Sequence, residues 1–270
     1  MHDAQAGFWH RDLRLTPDWR RRRRNAKTAD MTHALRCAAR ATPVLATLFL
    51  AIGPASAAEK RFGLTSFEAI EVTADVMVEV VTRAPVSAVA TGPQDALDRL
   101  SLESRDGRLV IGQRQFAGDE KRRGPRGPVT IRVNAANLKS ATLAGAGSLQ
   151  IDKLEGQRAM VGLRGPGRVA VGEIAADRLQ VAMIGNGTMT LGGTVKTARL
   201  TLSGAGALDA GALAVGELIS DSEGAGDHRL RAVKSAAVTS RGIGKVVVLG
   251  RPVCTVRNVG SGSVTCGVGK

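Results

Sequence analysis

The stretch TLSGAGAL, residues 201–208, sets one Gly-x-Gly between two short apolar runs. TLAGAGSL at 142–149 and VGSGSV at 259–264 repeat the arrangement. In all, the pairs are Gly145/Gly147, Gly165/Gly167, Gly185/Gly187, Gly204/Gly206, Gly224/Gly226, Gly242/Gly244 and Gly260/Gly262. First glycine to first glycine, the steps are 20, 20, 19, 20, 18 and 18 residues. A fixed period in this range signals stacked supersecondary units.

The neighbours of each pair say what is stacked. Four residues before it stand Val161, Val181, Leu200, Val238 and Val256. Four after the first glycine stand Leu149, Val169, Met189, Leu208, Val246 and Val264. Six after come Ile151, Val171, Leu191, Leu230 and Val248. Apolar residues at alternate positions on both sides of a corner mark strands with one buried face. A nucleotide-binding glycine loop would need a third glycine and a following helix, once. Here strand residues follow, seven times. The sequence therefore predicts an all-β, single-chain parallel β-solenoid with coils of about 20 residues and Gly-x-Gly corners. Its coils stack roughly 4.8 Å apart. Right-handed coiling is expected from the usual hand of parallel crossovers. At a sharp inward corner glycine takes positive φ freely and lets successive backbones approach.

Residues 58–140 read as opening coils and cap of the same domain, and 141–270 as its glycine-marked coils. Between the opening strands lies AGDEKRRGPRGP, 117–128, a charged, breaker-rich loop. Its Lys121, Arg122, Arg123 and Arg126 form a concentrated basic feature that suits an anionic partner, such as an anionic glycan or lipopolysaccharide phosphate, or simply a solvated loop.

The N-terminus reads as an address. From Met31, Arg36 and Arg40 supply a positive region. An apolar stretch at 41–53 follows, too short to span a bilayer comfortably. Ala55, Ser56 and Ala57 complete the small-residue pattern of a cleavage site, so 31–57 is expected to be a signal peptide. Residues 1–30, with arginines at 20–24, are either an extended positive region or a non-native start. The chain from Ala58 then holds 28 basic and 20 acidic residues, a net charge of +8. A periplasmic or secreted location follows. A basic exported protein meets anionic envelope surfaces rather than nucleic acid, and no transmembrane segment is expected in the mature chain.

Cys37 leaves with the leader, and no cysteine stands at the cleavage site for lipidation. Cys254 and Cys266 remain, six before and six after Gly260, both on the inward register. In an oxidising compartment they are expected to form a disulfide, the alternative being two buried thiols.

The chain also resembles the head GIN domain family of bacterial exported proteins, the auto-transporter adhesins. The likeness runs over about residues 62–267. It rests on FEAIEVTADVMVEVV at 67–81, LSLESRDGRLVIG at 100–112, the glycine rungs, and VCTVRNVGSGSVTCG at 253–267. The resemblance implies a right-handed β-helix akin to pectin lyases, without an established enzymatic activity. The chain closes within its last coil, so no membrane-translocating barrel is expected.

Chemistry has few candidates. The densest acids, Asp221, Glu223 and Asp227, do not recur at one coil position, so a solvated corner is expected rather than a metal site. His228 occupies the inward register of Leu208, with Ser222 and Ser240 two before neighbouring corners. A buried histidine hydrogen-bonded to those hydroxyls is expected. The glycine coils carry no Phe, Tyr or Trp, which removes the stacking platforms of a usual sugar groove. We therefore expect no catalytic, cofactor or metal residues, and an exported, non-enzymatic envelope protein with an adhesive or structural role. A polysaccharide-acting enzyme or glycan-binding module is the alternative.

Overall fold

The computed structural model describes residues 58–114 and 127–269. These residues share one compact unit and one apolar core. Of them, 74% are strand and 3% helix, and stacked parallel coils make a β-solenoid of about six turns. Seven corners bound six turns, which reconciles this number with the seven glycine pairs.

Five long strands carry the middle of the stack: β9 (Ser148–Arg164), β10 (Arg168–Gly185), β11 (Thr188–Gly204), β12 (Ala207–Gly224) and β13 (His228–Gly242). Each pairs in parallel with the next. The final coil is made of β14 (Lys245–Leu249), β15 (Val253–Val259) and β16 (Ser263–Val268), with β14 and β15 on β13 and β16 on β14. One inward ladder runs Leu149, Val169, Met189, Leu208, His228, Val246 and Val264, residue over residue. The alternation seen in the sequence is thus the inside–outside alternation of each coil.

The glycine corners stay in register while coil length varies. Gly185 stacks on Gly204, Gly204 on Gly224, and Gly224 on Gly242. Differences between coils of 18 and 20 residues are absorbed elsewhere, at register shifts between Val171 and Ile174, Thr190 and Gly192, and Asp209 and Val215.

The two glycines of a pair share one need and differ in another: neither leaves room for a Cβ against the coil beneath, and only the first also takes positive φ. The first glycine has positive φ in all seven pairs; at Gly185 it is 118°. That conformation strains any residue with a Cβ. The second glycine corrects the expectation. None of Gly147, Gly167, Gly187, Gly206, Gly226, Gly244 and Gly262 takes positive φ. What they provide is close approach. A Cβ at Gly167 would lie 2.7 Å from both the Gly145 carbonyl oxygen and the Leu143 side chain. A Cβ at Gly206 would lie 2.7 Å from the Gly187 carbonyl oxygen of the coil beneath. One at Gly244 would collide with the Gly226 carbonyl oxygen. Carbonyls of the corner are also occupied: Gly185 O accepts N–H bonds from Ala205 and Gly206 at 3.1 and 3.0 Å. The corner is a backbone ladder with no space for side chains.

The opening segment is coil only in part. The strands β2 (Ala69–Val72) and β3 (Met77–Thr82) form a true rung, parallel to β8 (Ser140–Ala144) and β9. Its corner has no glycine pair. Asp75 stands there, and its Oδ1 accepts the Ala146 N–H of the first glycine corner at 2.8 Å. Strands 108–113 and 130–135 make a second rung, parallel to β2 and β3, and only the segments that pair with its outer edges depart from the expected coils. The strands β1 (Ala58–Phe62), β4 (Ser87–Gly92) and β7 (Thr130–Ala135) pair antiparallel in that order. The strands β5 (Leu100–Arg105) and β6 (Arg108–Gln113) form a hairpin about Asp106 and Gly107, with φ of 51° and 71°. Two successive positive φ values reverse the chain within two residues, which dictates antiparallel pairing. A short helix, α1 (Gln94–Arg99), buries Ala96 and Leu97 beside them. Hairpins and helix cap the stack at this end.

Candidate functional site

The residues singled out in the sequence fall in three places. The fourteen glycines form the corner ladder described above. Within it Gly167, Gly187, Gly206, Gly226 and Gly244 are buried, covered by the corners above and below. Gly167 and Gly244 therefore offer no surface to a ligand, and their part is to let the coils stack. Cys254 and Cys266 are bridged, with Sγ atoms 2.10 Å and Cα atoms 6.4 Å apart, within the reach of a disulfide of about 7 Å. They flank the last corner as expected, but only Cys266 packs against the core; Cys254 is exposed. The reason is positional: among the described residues no further coil covers β15. Lys121, Arg122, Arg123 and Arg126 lie outside the described residues, as do 31–57.

His228 is buried on its ladder, between Leu208 and Val246. Ser220, Ser222 and Ser240 are buried too. The expected bonds between His228 and the serines do not form. Nδ1 of His228 and Oγ of Ser220 have no partner, and Ser222 Oγ donates to the Thr239 carbonyl at 3.5 Å. The ring instead lies against the corner, where a Cβ on Gly226 would meet its Cε1 at 2.9 Å. It follows its own strand away from the corner, while the serines sit on the strand that leads in. Burial holds the imidazole below its ordinary value, with the Asp227 carboxylate and backbone opposing the shift. Asp227 is a corner cap: its Oδ1 accepts the Lys245 N–H at 2.9 Å. Among the described residues no group of three or more His, Cys, Asp or Glu could hold a metal ion.

A shallow groove of about 930 Å³ crosses the coils away from the glycine corners. Its floor is small and apolar, from Ala176, Val195, Ala214 and Gly216. Asp177, one acid of this groove, is held by Lys196 Nζ at 2.7 Å.

Nearby, where the opening rung meets the coils, an ion cluster was not legible in the sequence. Arg83 binds Glu155 at 2.7 Å, and Lys153 reaches Glu155 at 3.6 Å and Glu173 at 3.0 Å. The hydrogen bond from Arg83, with its charge, holds the Glu155 carboxyl below the usual range. Asp152 accepts the Thr82 N–H and hydroxyl at 3.0 Å. The contacts of Thr82 and Arg83 join residues 70 and 72 positions apart, so no local pattern announces them. They staple the opening rung to the repeat.

The fold and this site define a class: an all-β solenoid built from glycine-cornered coils, capped at its first end. The family described as "putative auto-transporter adhesin, head GIN domain" matches residues 66–252, and the chain belongs to that family. Solved structures share the fold. A "putative adhesin" from Bacteroides fragilis aligns with a TM-score of 0.70 at 20% identity, over 78% of this chain and 97% of that one. A "putative lipid binding protein" from Parabacteroides distasonis aligns at 0.63 and 19%, over 79% and 97%. A "putative adhesin" from Parabacteroides merdae aligns at 0.62 and 17%, over 79% and 97%. No curated protein matches the chain. Among the described residues, no helix is long and apolar enough to cross a membrane.

Proposed function

We propose that the chain is an exported, non-enzymatic interaction module of the bacterial cell envelope, adhesive in role. The observation that carries the reading is the disulfide in the last coil. Such a bridge persists in oxidising compartments and is rare in the cytosol. The family description and the adhesin titles of its structural relatives support the same role. In this reading residues 31–57 are a leader cleaved after Ala57, and 58–140 and 141–270 work as one domain. Its partner is an anionic envelope surface, either glycan or lipid.

Two measurements test this. Mass spectrometry of protein from a periplasmic extract should give a chain starting at Ala58; a cytoplasmic product keeping 31–57 sinks the export reading. Incubation with a panel of acidic polysaccharides, with and without Ca²⁺, should release no product. Turnover of any of them would transfer the chain to the enzymes.

A further inference from the structure

The charge of the folded chain is not spread along it. Residues 58–227 hold 20 basic and 20 acidic residues and are neutral overall. Residues 228–270 hold eight basic residues and no acid: Arg229, Arg231, Lys234, Arg241, Lys245, Arg251, Arg257 and Lys270. The whole excess therefore falls within residues 228–270.

The two regions also treat their cations differently. Before residue 228, Lys60, Arg61, Arg83, Arg108, Arg132, Lys139, Lys153 and Lys196 each bind a carboxylate, while Arg105, Arg114, Arg158, Arg164, Arg178 and Arg199 make no ion pair among the described residues. Among the described residues after 227, all seven basic side chains are exposed, and none makes an ion pair or a side-chain hydrogen bond.

Six of the eleven exposed large apolar side chains among the described residues lie on the same last coils: Val233, Ile243, Val253, Val256, Val259 and Val268. Ile243 and Val253 are 70% and 76% exposed. Ile243 lies at the tip of its corner, between Arg241 and Lys245. Val256 is exposed for another reason. It stands on the inward ladder of Val238, with no coil above it.

Unpaired cations around exposed aliphatic groups fit one kind of partner. We propose that the C-terminal end of the coil stack docks on an anionic phospholipid bilayer, the basic side chains on headgroup phosphates and the aliphatic tips among them. A second copy of this end would bring eight like charges against eight. A soluble polyanion would take the cations and leave the aliphatic groups in water. Because β15 pairs with β13 alone, its other edge must stay hydrated, so the end rests at headgroup level and does not enter hydrocarbon. The inference deepens the proposed function, and rests on it only for the compartment where the surface is met.

The test uses purified chain from Ala58, which contains the whole described core, and vesicles of phosphatidylcholine with or without phosphatidylglycerol. Sedimentation should show binding to the anionic vesicles alone, weakening as salt rises. The triple variant Arg241→Gln, Lys245→Gln, Arg257→Gln should lower partitioning about a hundredfold, since each cation near such a surface counts about fivefold. The pair Ile243→Ser, Val253→Ser should weaken vesicle binding while leaving binding to soluble dextran sulfate unchanged. These side chains point outward, and circular dichroism checks that each variant keeps its fold. Equal binding to neutral vesicles overturns the proposal. So does full binding by the triple variant, including the case where only Lys121, Arg122, Arg123 and Arg126 matter. An aliphatic pair without effect would make the end a general polyanion site, and light scattering that shows end-dependent dimers would make it a self-association surface. Failure here leaves the export reading intact, and a retained leader leaves the vesicle result intact.

Discussion

The two ends of the coil stack are closed by opposite means. At the first end the chain leaves the coil pattern: antiparallel strands and α1 cover the core, and Leu97 and Leu109 are fully buried there. At the last end the coil pattern simply stops. The seven residues of β15 are all exposed, and two local ties hold them. One is the Cys254–Cys266 bridge. The other is Asn258, whose Nδ2 donates to the Gly262 carbonyl at 2.8 Å. In the coils beneath, the equivalent carbonyl takes an N–H from the next coil, as Gly187 O does from Ala207 at 3.0 Å. Asn258 satisfies a carbonyl that takes no N–H from another coil among the described residues. A covered end is built for stability. An end paired on one side only, by β13 and β14, keeps its other edge and its ladder residues available.

The largest effect should come from between the ends. Gly185→Val forces a β-branched residue into positive φ and sets its Cβ 3.0 Å from the Gly165 carbonyl oxygen. Backbone strain and overpacking together should cost about 3–5 kcal/mol. Gly267→Val sharpens the contrast. It has φ of 83° but nothing within 4 Å of a Cβ, so strain alone acts, about 1–3 kcal/mol. Chemical denaturation of both variants decides; equal losses would mean that stacking does not set the need for glycine.

Next comes the bridge. Cys254→Ser with Cys266→Ser opens a loop with a sequence separation of 12, worth about 2–3 kcal/mol in the chain-entropy model. The loss should be local, because β15 and β16 have neighbours on one side only. Hydrogen exchange should rise in residues 253–268 and stay low in β9 and β10. Uniform loosening along the stack would show the two ends to be coupled.

At the first end the matching tie is Asp75. Asp75→Ala removes the acceptor of the Ala146 N–H, a charge-assisted bond at an exposed corner, and should cost about 1–1.5 kcal/mol. A melting temperature unchanged by this substitution would leave the glycine-free corner held by strand pairing alone.

These variants also mark how far the sequence could be read. The period and the inward ladders were legible, because each follows from a spacing that recurs along the chain. The pairing of Cys254 with Cys266 was legible from two cysteines left about one corner in an oxidising compartment. That only the first corner glycine takes positive φ was not, since Gly242 and Gly244 look the same in a sequence and are equally closed to a Cβ. The β1–β4–β7 arrangement was hidden too. Short alternating strands look alike whether their neighbour is parallel or antiparallel, and only the Asp106–Gly107 turn betrayed a reversal. Nor was Asp75 legible as a stand-in for a glycine pair, since its partner lies 71 residues away. His228 shows the limit most clearly. Its register gave its burial correctly, yet the expected serine partners lie across the corner, on the strand that leads into it.

That residue supports the smallest prediction, in the coil next to the open end. His228 is buried with Nδ1 unpartnered, and burial lowers its folded pKa. The unfolded chain, with a histidine near the ordinary value of about 6.5, therefore binds a proton before the folded one does. The neutral ring is the stable one, so its contribution is complete above about pH 6.5 and declines as pH falls toward the depressed folded value. His228→Leu matches the ladder residue Leu208 beneath it and removes the unpaired nitrogen. It should raise stability at neutral pH by about 1 kcal/mol, and flatten the dependence on pH just below 6.5, where the wild-type protein weakens. Thermal melts of both proteins from neutral to mildly acid pH read the two effects together. If the wild-type melting temperature rises on acidification through this window while the leucine variant stays level, the histidine is protonated in the fold, and the coil next to the open end is better solvated than its ladder position implies.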